Sequence, residues 1–207
     1  PVKRFGAAKQ RLADALPPAD RMRLAEAMAA DVLEAIGAAL LVERVIVVSG
    51  EPKLRPIAAR AGAELLDDPG DAGHSQAASR GVAAALAAGA ECAALLPWDC
   101  PLLDPAELDA ALCDLSAGSV AVIPDREGSG TNGLLLRPPD AIAPAFGPGS
   151  RERHLRLAAE AGVAGSVATL PSLALDLDTA ADLAELRRRL EAGTSAPRTR
   201  RALAAIG

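Results

Sequence analysis

Helical and strand-like windows alternate along almost the whole of this chain, and that alternation leaves few folds open. "PPADRMRLAEAMAADVLEAIGAAL" sets Leu24, Met28, Val32, Ile36 and Leu40 four apart, on one helical face. "ERVIVVSG" follows as a short buried strand ending at Gly50. "KLRPIAARAG" reads as a short helix and "AELLDD" as a strand. "SQAASRGVAAALAAGA" is an Ala-rich helix closed by Gly89, and "CAALLPWDCP" is a strand running into a loop. "DPAELDAALCDL" is a helix with Asp104 as its N-cap and Pro105 at its first position. "SVAVIPD" and "NGLLLRP" are strands, "SRERHLRLAAEAG" a helix, "VAGSVATL" and "LALDLD" strand-like, and "TAADLAELRRRLEAG" the last long helix. Such text predicts an α/β fold: one domain with a mostly parallel sheet and helices on both faces. The domain is expected over residues 1–192, with 193–207 as a loosely held tail rich in Ser, Pro and Arg at its start.

The opening "PVKRFGAAKQRL" is a loop entering a helix, with no strand ahead of it. Sheets of this kind usually open with a strand, so a few residues of the native first strand are expected to be missing.

Composition removes several function classes. The net charge is −5, which argues against a nucleic-acid partner. No window approaches the roughly 20 apolar residues that span a bilayer. Cys92, Cys100 and Cys113 lack metal-type spacing and read as reduced cytosolic thiols. His74 and His154 share no metal spacing either.

Ligands of α/β sheets bind at the carboxyl ends of the strands, so polar residues just after a strand carry the functional weight. Four such places stand out. Lys3, Arg4, Lys9 and Arg11 crowd one loop, although the chain has only 3 lysines among its 22 basic residues; they form a candidate cradle for a polyphosphate. Asp99 ends the run "LLPWDCPLL", placed to hold Mg²⁺ together with substrate phosphates. "DREGSGTNGLLL" offers Thr131, Asn132 and backbone N–H groups to an anion, on a connection longer than a plain hairpin turn needs. "FGPGSRERH" sets two glycines before Ser150, which is expected to cap the next helix beside an anion site. "LDLDT" adds Asp176 and Asp178 on one side of a strand, one of them a candidate helix cap or a partner for Asp99. No Walker-type glycine–lysine pattern and no Ser/His/Asp or Cys/His set is present.

In this order and spacing, "PVKRFGAAKQRL", "LLPWDCPLL", "PDREGSGTNGLLL", "FGPGSRERH" and "LDLDTAADL" resemble the 2-phospho-L-lactate and phosphoenolpyruvate guanylyltransferases of coenzyme F420 biosynthesis, from Pro1 to about Leu190. The resemblance implies a nucleotide-diphospho-sugar transferase-like fold in the cytoplasm. It implies transfer of GMP from GTP to a phosphorylated three-carbon acid, with release of pyrophosphate and Mg²⁺ as cofactor. By position, Thr131, Gly147 and Ser150 would hold the acid carboxylate. Asp99 with Asp176 or Asp178 would hold the metal, and Lys3 and Lys9, flanked by Arg4 and Arg11, would contact the nucleotide, with Lys3, Lys9 and Asp99 as the catalytic set. Implied partners are GTP, the small acid and a downstream transferase of the same pathway, with a homodimer as a possible assembly. "GHSQAASRGV" departs from the family's usual text where the base is often faced, and Ala180 replaces the usual proline in the last motif. The alternatives are another nucleotidyltransferase of this fold, of molybdenum-cofactor or sugar-acid type, and a non-catalytic nucleotide-binding domain. Phosphoenolpyruvate, 2-phospholactate and 3-phosphoglycerate are not separable from the residues alone.

Overall fold

The computed structural model describes residues 1–7, 9–68, 73–193 and 195–206. The elements are α1 (Pro18–Ala38), β1 (Ile46–Ser49), α2 (Leu54–Arg60), β2 (Glu64–Asp67), α3 (His74–Ala87), β3 (Ala93–Leu95), α4 (Pro105–Cys113), β4 (Ser119–Ile123), β5 (Gly133–Arg137), α5 (Ser150–Glu160), β6 (Ala164–Val167), α6 (Ala180–Ala192) and α7 (Pro197–Ile206). The α/β class expected from the alternation is the observed one.

Strands β1 and β2 pair in parallel, with Ile46 opposite Glu64 and Ser49 opposite Asp67. The other four form a sheet in the order β3-β5-β4-β6. β4 and β6 are parallel, whereas β5 runs antiparallel to both its neighbours. The reversed strand follows from the short connection between β4 and β5, since a parallel return would need a crossover of a dozen or more residues.

β4 and β5 form the middle of the four-stranded sheet. Their apolar runs bury both faces, so alternate side chains serve two cores. Val120, Val122, Leu134 and Leu136 pack with Ile142 and with Ala158 of α5. Ala121, Ile123 and Leu135 pack with Cys100, Leu103 and Leu108 on the other side. A third core gathers Phe5, Leu12, Met28 of α1, Val47, Leu186 of α6 and Leu203 of α7. Full burial of one such leucine is worth about 1.5–3 kcal/mol.

Two sequence expectations are corrected here. "LALDLD" is no strand: a 3-10 turn at Pro171–Leu173 leads into extended chain without a ladder. Alternation alone cannot tell a strand from an extended segment whose leucines face a core. Residues 193–207 were expected to lie loosely, yet Pro197–Ile206 is helical and packs on α1. Asp31 of α1 accepts the backbone N–H groups of Thr199 (2.7 Å) and Arg198 (3.2 Å), two orphan donors at the start of α7.

Candidate active site

The opening loop is tied to the end of β1. Val2 N–H donates to the Val48 carbonyl at 2.9 Å, the Ser49 hydroxyl to the Val2 carbonyl at 2.6 Å, and Phe5 N–H to Glu51 Oε2 at 2.8 Å. Gly50 permits the close passage here, because a Cβ there would lie 2.5 Å from the Asp68 carbonyl oxygen and 3.1 Å from Arg4 Nη2. The loop turns through Lys9, which adopts φ 58° and ψ 36°. A non-glycine residue in this left-handed region is uncommon and costs free energy. The turn sends the Lys9 side chain inward, where only 3% of it is exposed.

Lys9 Nζ there bonds to Asp99 Oδ2 and, at 3.0 Å, to Asp178 Oδ1. Its ammonium also lies 5.1 Å from the centre of the Trp98 ring, within cation–π range. Burial pulls the Lys9 pKa down, but the charges of Asp99 and then Asp178 outweigh it, and the net shift is upward. Lys3, Arg4 and Arg11 stay exposed. The basic loop is therefore split: one buried cation is already paired, and three others are open to solvent.

Asp99 stands just after β3, and Leu177 N–H bonds to its carbonyl at 3.2 Å. That contact brings the 176–178 stretch alongside. Asp176 accepts from Asn132 Nδ2 at 3.3 Å. Burial pushes the Asp176 carboxyl up and the charge of Asp99 adds to this, against the Asn132 hydrogen bond. Neither aspartate caps α6. Thr179 does, in a reciprocal capping box with Asp182. Both aspartates are thus left free of a capping role.

Asn132, just ahead of β5, ends the loop 124–132. Asp125 organises it, accepting Ser129 N–H and Gly130 N–H on its two oxygens, both at 3.0 Å. Ser129 in turn accepts Arg151 N–H at 3.2 Å, so the loop is joined to the first turn of α5. Thr131 and Ser150 come together, with their hydroxyls 3.0 Å apart. Gly147 takes φ 117°, which a residue with a side chain rarely adopts, and its carbonyl accepts Ser150 N–H at 3.0 Å. Ser150 was expected to cap α5. It is instead the first helical residue, Gly149 is the cap position, and the hydroxyl is turned to Thr131.

The structure also engages residues that sequence reasoning passed over. Trp98 is buried against Phe5 with ring centres 5.8 Å apart and walls Lys9. His154, unexposed, places Nδ1 3.1 Å from the Thr131 hydroxyl. Its spacing of four from Ser150 was the available signal, since both lie on one face of α5. Ser75, in the departing "GHSQ" text, accepts Phe146 N–H at 2.9 Å.

Two clusters result: acidic side chains bridged by a cation, and neutral donors beside a glycine-rich turn. Among the described residues, no three His, Cys, Asp or Glu side chains converge to hold a metal ion by themselves. Cys100 offers no nucleophile, because burial and then Asp99 hold its thiol well above the usual range. A cavity of about 900 Å³ is lined by Val32, Ile36, Val47, Leu95 and, at its edge toward the acidic cluster, Trp98. Neither Asp99 nor Thr131 lines it.

The family model for guanylyl transferases described as CofC like matches residues 1–196. The chain belongs to this family. A phosphoenolpyruvate guanylyltransferase of Conexibacter woesei is 48% identical over 189 residues, covering 90% of this chain and 85% of that protein. The protein of the same name from Sphaerobacter thermophilus is 40% identical, covering 94% of each. Among solved structures, a putative nucleotide-diphospho-sugar transferase from Desulfovibrio desulfuricans G20 aligns with a TM-score of 0.74 at 18% identity, over 99% of this chain and 91% of that one. A CMP:2-keto-3-deoxy-manno-octonic acid synthetase solved with CTP aligns with a TM-score of 0.57 at 15% identity, over 80% of this chain and 88% of that one. At such identities these last two speak for the fold alone. This member of the family is a nucleotidyltransferase that moves a guanylyl group in coenzyme F420 biosynthesis. No helix among its described residues is long and apolar enough to cross a membrane.

Proposed function

We propose that this protein transfers GMP from GTP to phosphoenolpyruvate or a near relative of it, releasing pyrophosphate. The relatives named above support the acid. The observation that carries the reading is the pairing of a cation-bridged carboxylate cluster with a neutral donor pocket, joined through Asn132.

A phosphate oxygen of the acid forms a bond to the α-phosphorus of GTP, and the bond from that phosphorus to the pyrophosphate oxygen breaks. The acceptor phosphate is already ionised at neutral pH, so neither a protein nucleophile nor a general base is needed. The chain's work is placement and neutralisation. The exposed Lys3, Arg4 and Arg11 reach toward the nucleotide phosphates, and Lys9 supplies a positive charge between Asp99 and Asp178. Thr131, with the Ser150 hydroxyl bonded to it, and the Gly147 turn take the acid's carboxylate without adding charge.

Mg²⁺ fits this cluster. Its donors are hard carboxylate oxygens already gathered about a cation, and too few protein ligands converge to bind a metal without substrate phosphates. Asp99 and Asp178, which share Lys9, would hold it, with Asp176 turned to Asn132. When bound, the ion would neutralise charge on the phosphates.

The test is pyrophosphate release with GTP and Mg²⁺ and each of phosphoenolpyruvate, 2-phospholactate and 3-phosphoglycerate in turn. Phosphoenolpyruvate should give the highest kcat/KM. Release with none of the three, or equal release without any acid, overturns the reading.

A further inference from the structure

We propose that His154 is a positioning residue that frees one hydroxyl proton of the Thr131–Ser150 pair for the acid substrate. The proposal rests on the assignment of that pair to the acid.

The protons around the pair can be counted. Ala145 N–H donates to His154 Nε2 at 2.9 Å, so Nε2 presents its lone pair. Burial, and then the charge of Arg153, hold the ring's pKa down to about 4, which keeps it neutral near pH 7. A neutral imidazole with Nε2 accepting carries its proton on Nδ1. Nδ1 lies 3.1 Å from Thr131 Oγ1, and so it donates there. Ser150 Oγ donates to the same oxygen at 3.0 Å. The ring and the two hydroxyls thus hold three protons and spend two on one another. The third, on Thr131, points away from both partners. With the other tautomer, Thr131 would donate to Nδ1 and Ser150 to Thr131, and no hydroxyl proton would remain for a carboxylate. A backbone N–H on loop residue Ala145 therefore decides whether the pocket can donate.

The surroundings hold the ring in this register. Phe146 packs edge-on against His154 with ring centres 5.3 Å apart, and against His74 at 4.5 Å. Arg153 Nη1 donates to the Ala145 carbonyl at 2.8 Å, fixing the peptide that follows the donor N–H. The sequence expectation gave the acid two hydroxyl donors; the geometry leaves one, with Ser150 committed to orienting it.

Two substitutions separate the ring's two bonds. In His154→Asn the side-chain amide N–H₂ can stand where Nδ1–H stands. In His154→Gln the amide oxygen can stand where Nε2 accepts, and the donor to Thr131 is lost. The KM for the acid should rise about tenfold or more in His154→Gln, the size of one charge-assisted hydrogen bond. It should stay within about threefold of wild type in His154→Asn, and the KM for GTP should hold in both. In a Thr131→Val background, His154→Gln should add nothing to the KM for the acid, because the oriented hydroxyl is already gone. Equal impairment in the Asn and Gln variants, an unchanged KM for the acid in the Gln variant, or an additive loss in the double variant would each overturn the proposal. Thr131→Val alone distinguishes the underlying assignment: if it leaves the KM for the acid unchanged, the pocket belongs to another ligand.

Discussion

Lys9 is the residue on which the acidic cluster turns. It is buried, held in a left-handed backbone conformation and bonded to two carboxylates. Removing one member of a buried ion pair is costly because the partner charge stays behind. Asp178 is about half exposed, so solvent screens part of that cost. Lys9→Met should therefore destabilise the protein by about 1–3 kcal/mol in EDTA, read from urea midpoints. Mg²⁺ in millimolar amounts should restore part of the loss, because it can take the vacated place between the carboxylates. A variant as stable as wild type in EDTA, or one indifferent to Mg²⁺, would contradict the metal assignment. His154 sets a second residue-scale expectation, now for pH. Its folded pKa is near 4 against a reference value of 6.5, so the unfolded chain binds more protons between those values. Its contribution to stability is complete above about pH 6.5 and falls as the pH drops toward 4. At about 1.4 kcal/mol per pH unit, the part of this lost between pH 6.5 and pH 5 is at most about 2 kcal/mol. Urea midpoints at pH 7 and pH 5 should fall more steeply for wild type than for His154→Gln. Equal slopes would mean that the ring titrates normally.

Among the elements, those with strong periodicity were legible in sequence, and those without a ladder of their own were not. The repeat of α1 holds from Leu24 through Met28 and Val32 to Ile36, and the Asp104–Pro105 start of α4 is present as read, whereas Leu40 falls beyond the helix end at Ala38 and is exposed. "LALDLD" failed as a strand because Leu175 and Leu177 alternate toward a core while the stretch forms no ladder, its Leu177 N–H bonding to the Asp99 carbonyl outside any strand. α7 escaped because the polar text "TSAPRTRR" hides a short apolar stripe whose partner is distant in sequence. Leu203 packs in the core with Leu24 and Met28, and Asp31 supplies the acceptor that α7's own sequence lacks. Leu203→Ala should cost about 2–4 kcal/mol, since it is buried and the cavity left behind cannot wholly collapse. Turnover per folded molecule should not change, because α7 touches neither cluster. A loss of kcat at full folding would show that α7 reaches the site.

At the scale of the whole molecule, the site joins segments far apart in the chain, and Asn132 is where they meet. Sequence reading found the pieces: strand-end placement singled out Asp99, Thr131 and the 176–178 aspartates. It could not see that Thr131 and its neighbour serve opposite sides. Successive residues leaving a loop into β5 point in opposite directions. Thr131 therefore turns to Ser150 and His154, whereas Asn132 turns to the Leu173 carbonyl at 2.8 Å and to Asp176 at 3.3 Å. One short stretch thereby sets the distance between the donor pocket and the carboxylates, which is the distance two anionic substrates must share. Asn132→Leu keeps the volume and removes both bonds. It leaves the Leu173 carbonyl without that donor, at a cost of about 1–3 kcal/mol. It also removes the hydrogen bond that opposes the upward shift of Asp176. Thr131→Val should raise the KM for the acid alone. Asn132→Leu should instead lower kcat and weaken the use of both substrates, because it disturbs the spacing between them. Steady-state kinetics with each substrate varied in turn decides the matter. A change confined to the acid would place Asn132 within the donor pocket and remove it as the link between the two sides.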